Sequence, residues 1–153
     1  MQRRDLFKKM GLVSLGLVAS AAIIPKVQAQ DPIKKKLIVN RQKMMIADVK
    51  NPTKFELKHS PEINFGEKDA KGFTSVSIQI GQQGIIHPTS ENHWIDYMNI
   101  YKNDALVSKM VFENGPIRGY ANHYINLKSG DVLKVEIGCN LHGIWESSKT
   151  YKA

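Results

Sequence analysis

The residues best suited to chemistry lie in the segment 139–145, which reads Cys-Asn-Leu-His-Gly-Ile-Trp. Cys139 is the only cysteine of the chain, and His142 follows it three residues later. A thiolate and an imidazole at this spacing can both bind one transition-metal ion. A chain with one cysteine forms no internal disulfide. The thiol is therefore buried and inert, paired to another chain, or bound to a metal.

Three further histidines stand close to prolines or aromatic residues, in segments that read as loops. They are His59, His87 and His93. Each of them taken alone indicates a surface or structural role. Together with Cys139 and His142 they offer five potential ligands, and this combination favours a metal site.

The composition of this ligand set narrows the choice of metal. Structural zinc sites are closed and four-coordinate, so five ligands would be a surplus. Blue copper sites use two histidines, one cysteine and a weakly bound methionine, and no methionine closely follows His142. Imidazoles with a single thiolate also suit iron. Five ligands would leave a sixth position open to a small substrate.

Alternating apolar and polar residues indicate that strands must position these ligands. The predicted strands cover residues 75–80, 94–101, 105–112, 120–127 and 133–139. Turn sequences separate them, so we predict an all-β fold, an antiparallel β-sandwich with the metal site on loops and strand ends. Cys139 is in phase with the apolar residues of its strand, so its side chain should lie on the buried face, at the end of the strand. His123 lies inside a strand, and we expect a core or surface role for it. Met44–Ala47 reads as a helical turn.

The first 29 residues have the pattern of a secretory signal peptide. Paired arginines, Arg3 and Arg4, precede an uncharged, mostly apolar run over 11–24, and small residues near Ala29 suit cleavage. The run is too short for an ordinary membrane span. The alternatives to a twin-arginine signal are an ordinary Sec signal and an uncleaved anchor. The arginine pair with its neighbours is similar to a twin-arginine signal, which predicts recognition by the twin-arginine export machinery and a periplasmic location. The mature domain would then comprise residues 30–153.

Net charge gives little indication of a nucleic-acid partner. The chain carries a formal charge of +8, and removing residues 1–29, with five basic residues and one acidic residue, leaves +4. Lys34–Lys36 is the one dense basic triplet that remains, and it reads as a solvated start of the mature chain. A modest positive charge of this kind can still attract small anions.

Over about 55–147, the chain resembles the superoxide reductase family, in its one-iron neelaredoxin or desulfoferrodoxin form. Lys58-His59 resembles the first ligand loop of that family, and His87-Pro88 with His93 resembles its second. The segment 139–145 resembles its Cys-Asn-x-His-Gly-x-Trp signature. The resemblance implies an immunoglobulin-like sandwich and one mononuclear iron centre. Cys139 would be the axial ligand, and four equatorial ligands are implied: His59, His87, His93 and His142.

The reaction that the resemblance implies is the one-electron reduction of superoxide to hydrogen peroxide. Lys58 would attract the anion and organise a proton-donating water near the open position. Many family members carry a glutamate directly before this lysine, whereas here Leu57 stands there and Glu56 lies one position out of register. The small rubredoxin-like module of some members needs four cysteines, so this chain cannot build it.

Two other classes of function stay open at this stage. One is a non-catalytic exported protein that binds iron or copper or carries electrons. The other, a cysteine-dependent hydrolase or peroxidase, is weak because no Cys/His/Asp motif is recognisable. An exported enzyme would need an extracytoplasmic electron donor, such as a cytochrome or a rubredoxin-like protein. The edge strands of a small sandwich are compatible with a homo-oligomer.

Overall fold

The computed structural model describes residues 39–153, so the predicted signal peptide and the next nine residues lie outside the described part. Within this described part, one helix and eight strands follow each other. They are β1 (Lys43–Met44), α1 (Lys54–His59), β2 (Pro61–Lys68), β3 (Thr74–Ile80), β4 (Ile95–Lys102), β5 (Ala105–Val111), β6 (Tyr120–Ile125), β7 (Val132–Cys139) and β8 (Gly143–Thr150). No helix within 39–153 is long and apolar enough to cross a membrane.

The strands form two sheets, in the orders β1-β8-β7-β4-β5 and β2-β3-β6. All pairings are antiparallel except that of β1 with β8. Buried residues of both sheets belong to one hydrophobic cluster, so the sheets pack face to face as a sandwich. The all-β prediction is confirmed.

Strand β7 shows how the core and the candidate site share one side of a sheet. Leu133, Val135, Ile137 and Cys139 are all fully buried, because alternate residues of a strand face the same way. Cys139 is the last residue of the strand, and the chain turns into β8 only four residues later. The predicted parity of the cysteine is therefore confirmed, and a rigid element holds the thiol.

The structure also contains elements that the periodicity did not predict. Only the first part of β2 is buried, and β8 becomes exposed over its last three residues, so neither shows a sustained alternation. The predicted helical turn at Met44–Ala47 is wrong. Met44 instead ends β1 and lies opposite Trp145 of β8, where its half-buried side chain packs against the core.

Candidate metal centre

Helix α1 carries Lys58 and His59 to one end of the sandwich. The helix begins after Thr53, whose side chain accepts a hydrogen bond from the Glu56 backbone N–H in a capping box. It ends at His59, and Ser60 is already extended because Pro61 disfavours helical geometry in the residue before it. Six residues make a marginal helix, so these caps and its packing must stabilise it.

Four side chains converge where α1, the loop before β4 and the β7–β8 turn meet. The ligand atoms of His59, His93, Cys139 and His142 all lie within 4.8 Å of one another. His142 Nδ1 is 3.0 Å from both His59 Nε2 and His93 Nε2. Cys139 Sγ is 3.3 Å from His93 Nε2 and 3.6 Å from His142 Nδ1. Adjacent ligand atoms about 2 Å from one ion are separated by about 3 Å, so this spacing suits a shared metal.

His87 stands beside this cluster as a fifth imidazole. Its ring centroid lies 4.6 Å from that of His93 and 5.0 Å from that of His59, and the residue is 3% exposed. His87 Nδ1 is 2.6 Å from the Pro88 carbonyl oxygen, to which it can donate, whereas His87 Nε2 is buried without a hydrogen-bond partner. An unpaired buried nitrogen costs about 1–3 kcal/mol, and a bound metal would remove that cost. The five residues present therefore fit a metal ion.

Burial sets the protonation of the imidazoles. Desolvation lowers the pKa of His59 to about 4 and that of His87 to about 3, and the positive charges of neighbouring groups add to this effect. The pKa values of His93 and His142 are lowered as well, with burial as the main cause. All four rings are therefore neutral at pH 7, as metal binding requires.

The pKa of the Cys139 thiol is shifted in the opposite direction to those of the imidazoles. Burial raises its pKa, while the backbone N–H groups of Leu141 and His142 donate hydrogen bonds that partly offset the increase. Gly143 permits the β7–β8 turn, since its φ is +98° and an added Cβ would lie 2.9 Å from the Gln42 oxygen.

Two aromatic residues enclose the His59 side of the cluster. Trp145 is fully buried, and its Nε1 donates a 2.9 Å hydrogen bond to the His142 carbonyl oxygen. Phe55 lies one helical turn before His59, with ring centroids 4.5 Å apart, and stays 42% exposed. Trp145 thus belongs both to the core and to the wall of the site. Phe55 was missed in the sequence, although its position four residues before His59 on a helix was a usable signal.

Lys58 is half-buried near the cluster, with its Nζ 5.7 Å from the centroid of the Phe55 ring. Its positive charge acts across the site: it helps to lower the pKa values of all four imidazoles, and it offsets part of the burial-driven increase in the pKa of the Cys139 thiol. The position is suitable for attracting an anion. His123 is not part of the cluster: it lies half-buried in β6 opposite Val76.

No carboxylate adjacent to Lys58 is directed to the cluster. Leu57, directly before Lys58, is an apolar residue that is only 5% exposed. Glu56 Oε2 accepts hydrogen bonds from the backbone N–H and the hydroxyl of Thr53, and its Oε1 accepts one from the Ala47 N–H. Both oxygens are thus engaged in capping the helix and in tying residue 47 to it.

A model of the desulfoferrodoxin family matches residues 51–148, which include all five candidate ligands and Lys58. The chain belongs to this family. The chain is 29% identical over 106 residues to a putative superoxide reductase of Methanocaldococcus jannaschii. The aligned region covers 66% of this chain and 88% of that protein. The chain is 32% identical over 111 residues to neelaredoxin of Megalodesulfovibrio gigas, covering 60% of the chain and 85% of that protein.

Solved structures of similar proteins share the fold of this desulfoferrodoxin-family chain. Superoxide reductase (neelaredoxin) from Ignicoccus hospitalis superposes with a TM-score of 0.52 at 29% identity, over 61% of this chain and 80% of that one. The family match begins at residue 51, whereas the structure places residues 39–44 against the β7–β8 turn through bonds such as Ile144 N–H to the Gln42 oxygen. This short segment was not predicted, because a two-residue strand has no detectable period.

Proposed function

We propose that the chain is a superoxide reductase that uses one mononuclear, non-haem iron centre. The convergence of one thiol and three imidazoles, with the unpaired nitrogen of His87 beside them, carries the proposal. His59, His87, His93 and His142 would hold the iron with Cys139. Relatives named superoxide reductase and neelaredoxin support the same assignment.

The overall reaction combines superoxide, one electron and two protons to give hydrogen peroxide. Ferrous iron, when bound, would supply the electron. Burial keeps the four imidazoles neutral and leaves their nitrogens free to bind, while the backbone N–H groups of Leu141 and His142 stabilise the thiolate of Cys139. Lys58 would attract the anion and hold a water that donates protons, because its ammonium group carries both charge and N–H donors.

The proposal is tested with anaerobically purified, reduced protein whose iron content is measured. A reductase gives one peroxide for each superoxide consumed and releases no oxygen, whereas a dismutase gives half as much peroxide together with oxygen. We expect the first result, together with a ferric-thiolate absorption band at the red end of the visible spectrum as the iron is oxidised. Copper at full stoichiometry with an intense blue band, or iron without superoxide consumption, would instead support a non-catalytic binding or electron-transfer protein.

Export through the twin-arginine pathway to the periplasm is part of the same proposal. It rests on Arg3 and Arg4, the apolar run and the cleavage-like residues ending at Ala29. Replacing both arginines with lysine should retain the chain in the cytoplasm, as cell fractionation would show. Unchanged export in a strain that lacks the twin-arginine machinery would contradict the pathway.

A periplasmic reductase needs an electron donor outside the cytoplasm, and a cytochrome or a rubredoxin-like protein would serve. A homo-oligomer is also proposed. Its support is the edge strand β5, which exposes Leu106, Val107 and Val111, because apolar edge strands favour pairing with a further chain. Light scattering of the purified protein gives the oligomeric state, and a monomer at all concentrations would contradict this part.

A further inference from the structure

We propose that Asn140 is a positioning residue that sets the imidazole of His93 against the thiol of Cys139. The inference rests on the proposed function only in taking these two side chains as ligands of one metal. It concerns a buried polar residue of the 139–145 segment to which neither ligation nor the aromatic wall assigns a role.

The Asn140 side chain holds the backbone on both sides of His93. Asn140 is 5% exposed. Its Oδ1 accepts a 2.9 Å hydrogen bond from the Trp94 N–H, and its Nδ2 donates a 2.9 Å bond to the Asn92 carbonyl oxygen. The two residues that flank His93 are therefore fixed to the residue that follows Cys139.

This arrangement extends the sheet by one step beyond its last backbone pair. The β4–β7 ladder ends where Ile95 faces Cys139. Beyond it, the Asn140 backbone N–H donates to the Trp94 oxygen at 3.1 Å, while the Asn140 carbonyl turns away and accepts a 2.8 Å bond from the Val39 N–H. The side-chain Oδ1 takes the place of that carbonyl, so Trp94 keeps the two reciprocal bonds of an antiparallel pair.

The two Asn140 side-chain bonds matter for the metal because His93 is held differently from His59 and His87. His59 Nδ1 and His87 Nδ1 each lie within hydrogen-bond distance of a carbonyl oxygen, which orients those rings directly. His93 is half-buried, and its backbone N–H and carbonyl pair with Ser90 of its own loop. The Asn140 bonds tie the residues on either side of His93 to the end of β7. Only an amide of this length offers an acceptor and a donor together, since aspartate lacks the donor and leucine lacks both.

The test compares cobalt-loaded full-length protein with the variants Asn140→Ala and Asn140→Asp. Cobalt release to a chelator and the thiolate-to-cobalt absorption band are measured, so no superoxide chemistry is involved. We expect release to accelerate by roughly 10–100-fold in Asn140→Ala, with a shifted band, as for other residues that orient metal ligands. Asn140→Asp keeps the acceptor for Trp94 and should show a smaller effect.

Asn103→Gly is the matched control. Asn103 also links two segments through both ends of its amide, in 2.7 Å and 2.9 Å bonds to Asp131 and Val132, and glycine tolerates its positive φ. The control should lower stability without changing cobalt release or the band. Release within twofold of the wild type in Asn140→Ala, or equal acceleration in Asn103→Gly, would overturn the proposal.

A measurement without substitution covers the case in which Asn140→Ala does not fold. Hydrogen exchange of the Trp94 backbone N–H in the cobalt-loaded wild type should be slow. Fast exchange there would show that the bond to Asn140 Oδ1 does not hold, and would overturn the proposal. Failure of the reductase proposal gives a different result: the iron protein would not consume superoxide, while the Asn140 variants would still lose cobalt faster.

Discussion

The indole ring of Trp145 stacks on the imidazole of His59, with ring centroids 5.2 Å apart and planes inclined by 17°. The same indole donates its N–H to the carbonyl oxygen of His142. One buried side chain thereby contacts one candidate ligand through its face and the backbone of another through its edge. The core and the metal centre should respond together when this residue is changed.

Trp145→Phe should lower the free energy of unfolding of the metal-free protein by about 1–3 kcal/mol. Phenylalanine keeps an aromatic face for His59 but leaves the carbonyl oxygen of the half-buried His142 without its donor. Urea unfolding measures the loss. The control is Trp94→Phe. Because Trp94 is only half-buried, this change should lower the free energy of unfolding by less. Equal losses in the two variants would contradict the special role of the buried ring.

Zinc binding to the metal-free protein at pH 7.5 should release about one proton per ion. The four imidazoles are already neutral because burial lowers each pKa, whereas the thiol of Cys139 is still protonated because burial raises its pKa. Affinity should therefore rise about tenfold for each pH unit near neutrality. Calorimetry in buffers of different ionisation enthalpy counts the protons.

The matched variant for the proton count is Cys139→Ser, which should bind zinc more weakly and release almost no proton. Two or more protons released by the wild type would mean that some imidazoles are charged before binding. No proton released would mean that the thiol is already ionised. Either count contradicts the assigned protonation states.

Lys58→Ala should slow the second-order reaction with superoxide roughly tenfold at low salt, because a positive charge beside the site is lost. The difference should shrink as salt screens the remaining attraction. Pulse radiolysis at two ionic strengths measures the rates. Lys54→Ala removes an equal charge one helical turn away and should change them less. Lys58→Arg should restore most of the rate, and an unchanged rate in Lys58→Ala would remove the lysine from the mechanism.

Glu56→Ala should lower the melting temperature without lowering iron content, since both carboxylate oxygens bond to residues 47 and 53. Those bonds lower the pKa of Glu56, so its stabilising effect is present at pH 6 and declines as the pH falls below 4.5. Thermal unfolding at several pH values measures it. Glu67→Ala, at the exposed end of β2, is the control. Loss of iron from Glu56→Ala alone would indicate a ligand role after all.

The strands with sustained alternation were predictable from the sequence, and so was the inward direction of Cys139. Periodicity captures side chains that face a core, and β3 and β7 are such strands. It could not reveal β1, which is held by its pairing with β8 rather than by any pattern of its own. Strand β8 was missed because its last three residues are exposed, which ends the alternation.

The ligands could be proposed from residue types and spacing, yet their environment depends on contacts between distant segments. His59 and His142 are 83 positions apart and meet at 3.0 Å only after the sandwich has formed. The Asn140 amide bonds and the hydrogen bond from Ala47 to Glu56 likewise join separate segments of the chain. A sequence pattern records the type of each residue and not the partner that the fold supplies.

The position of Cys139 at the end of β7 also determines which changes of chain length the protein can accept. Deleting or inserting one residue between Leu133 and Cys139 would reverse the facing of every residue beyond it, turning the thiol to solvent. Asn114 and Gly115, which are exposed and half-exposed residues of the loop between β5 and β6, impose no such parity. The centre is therefore sensitive to the register of β7, whereas a change of length in this loop leaves the facing of Cys139 unchanged.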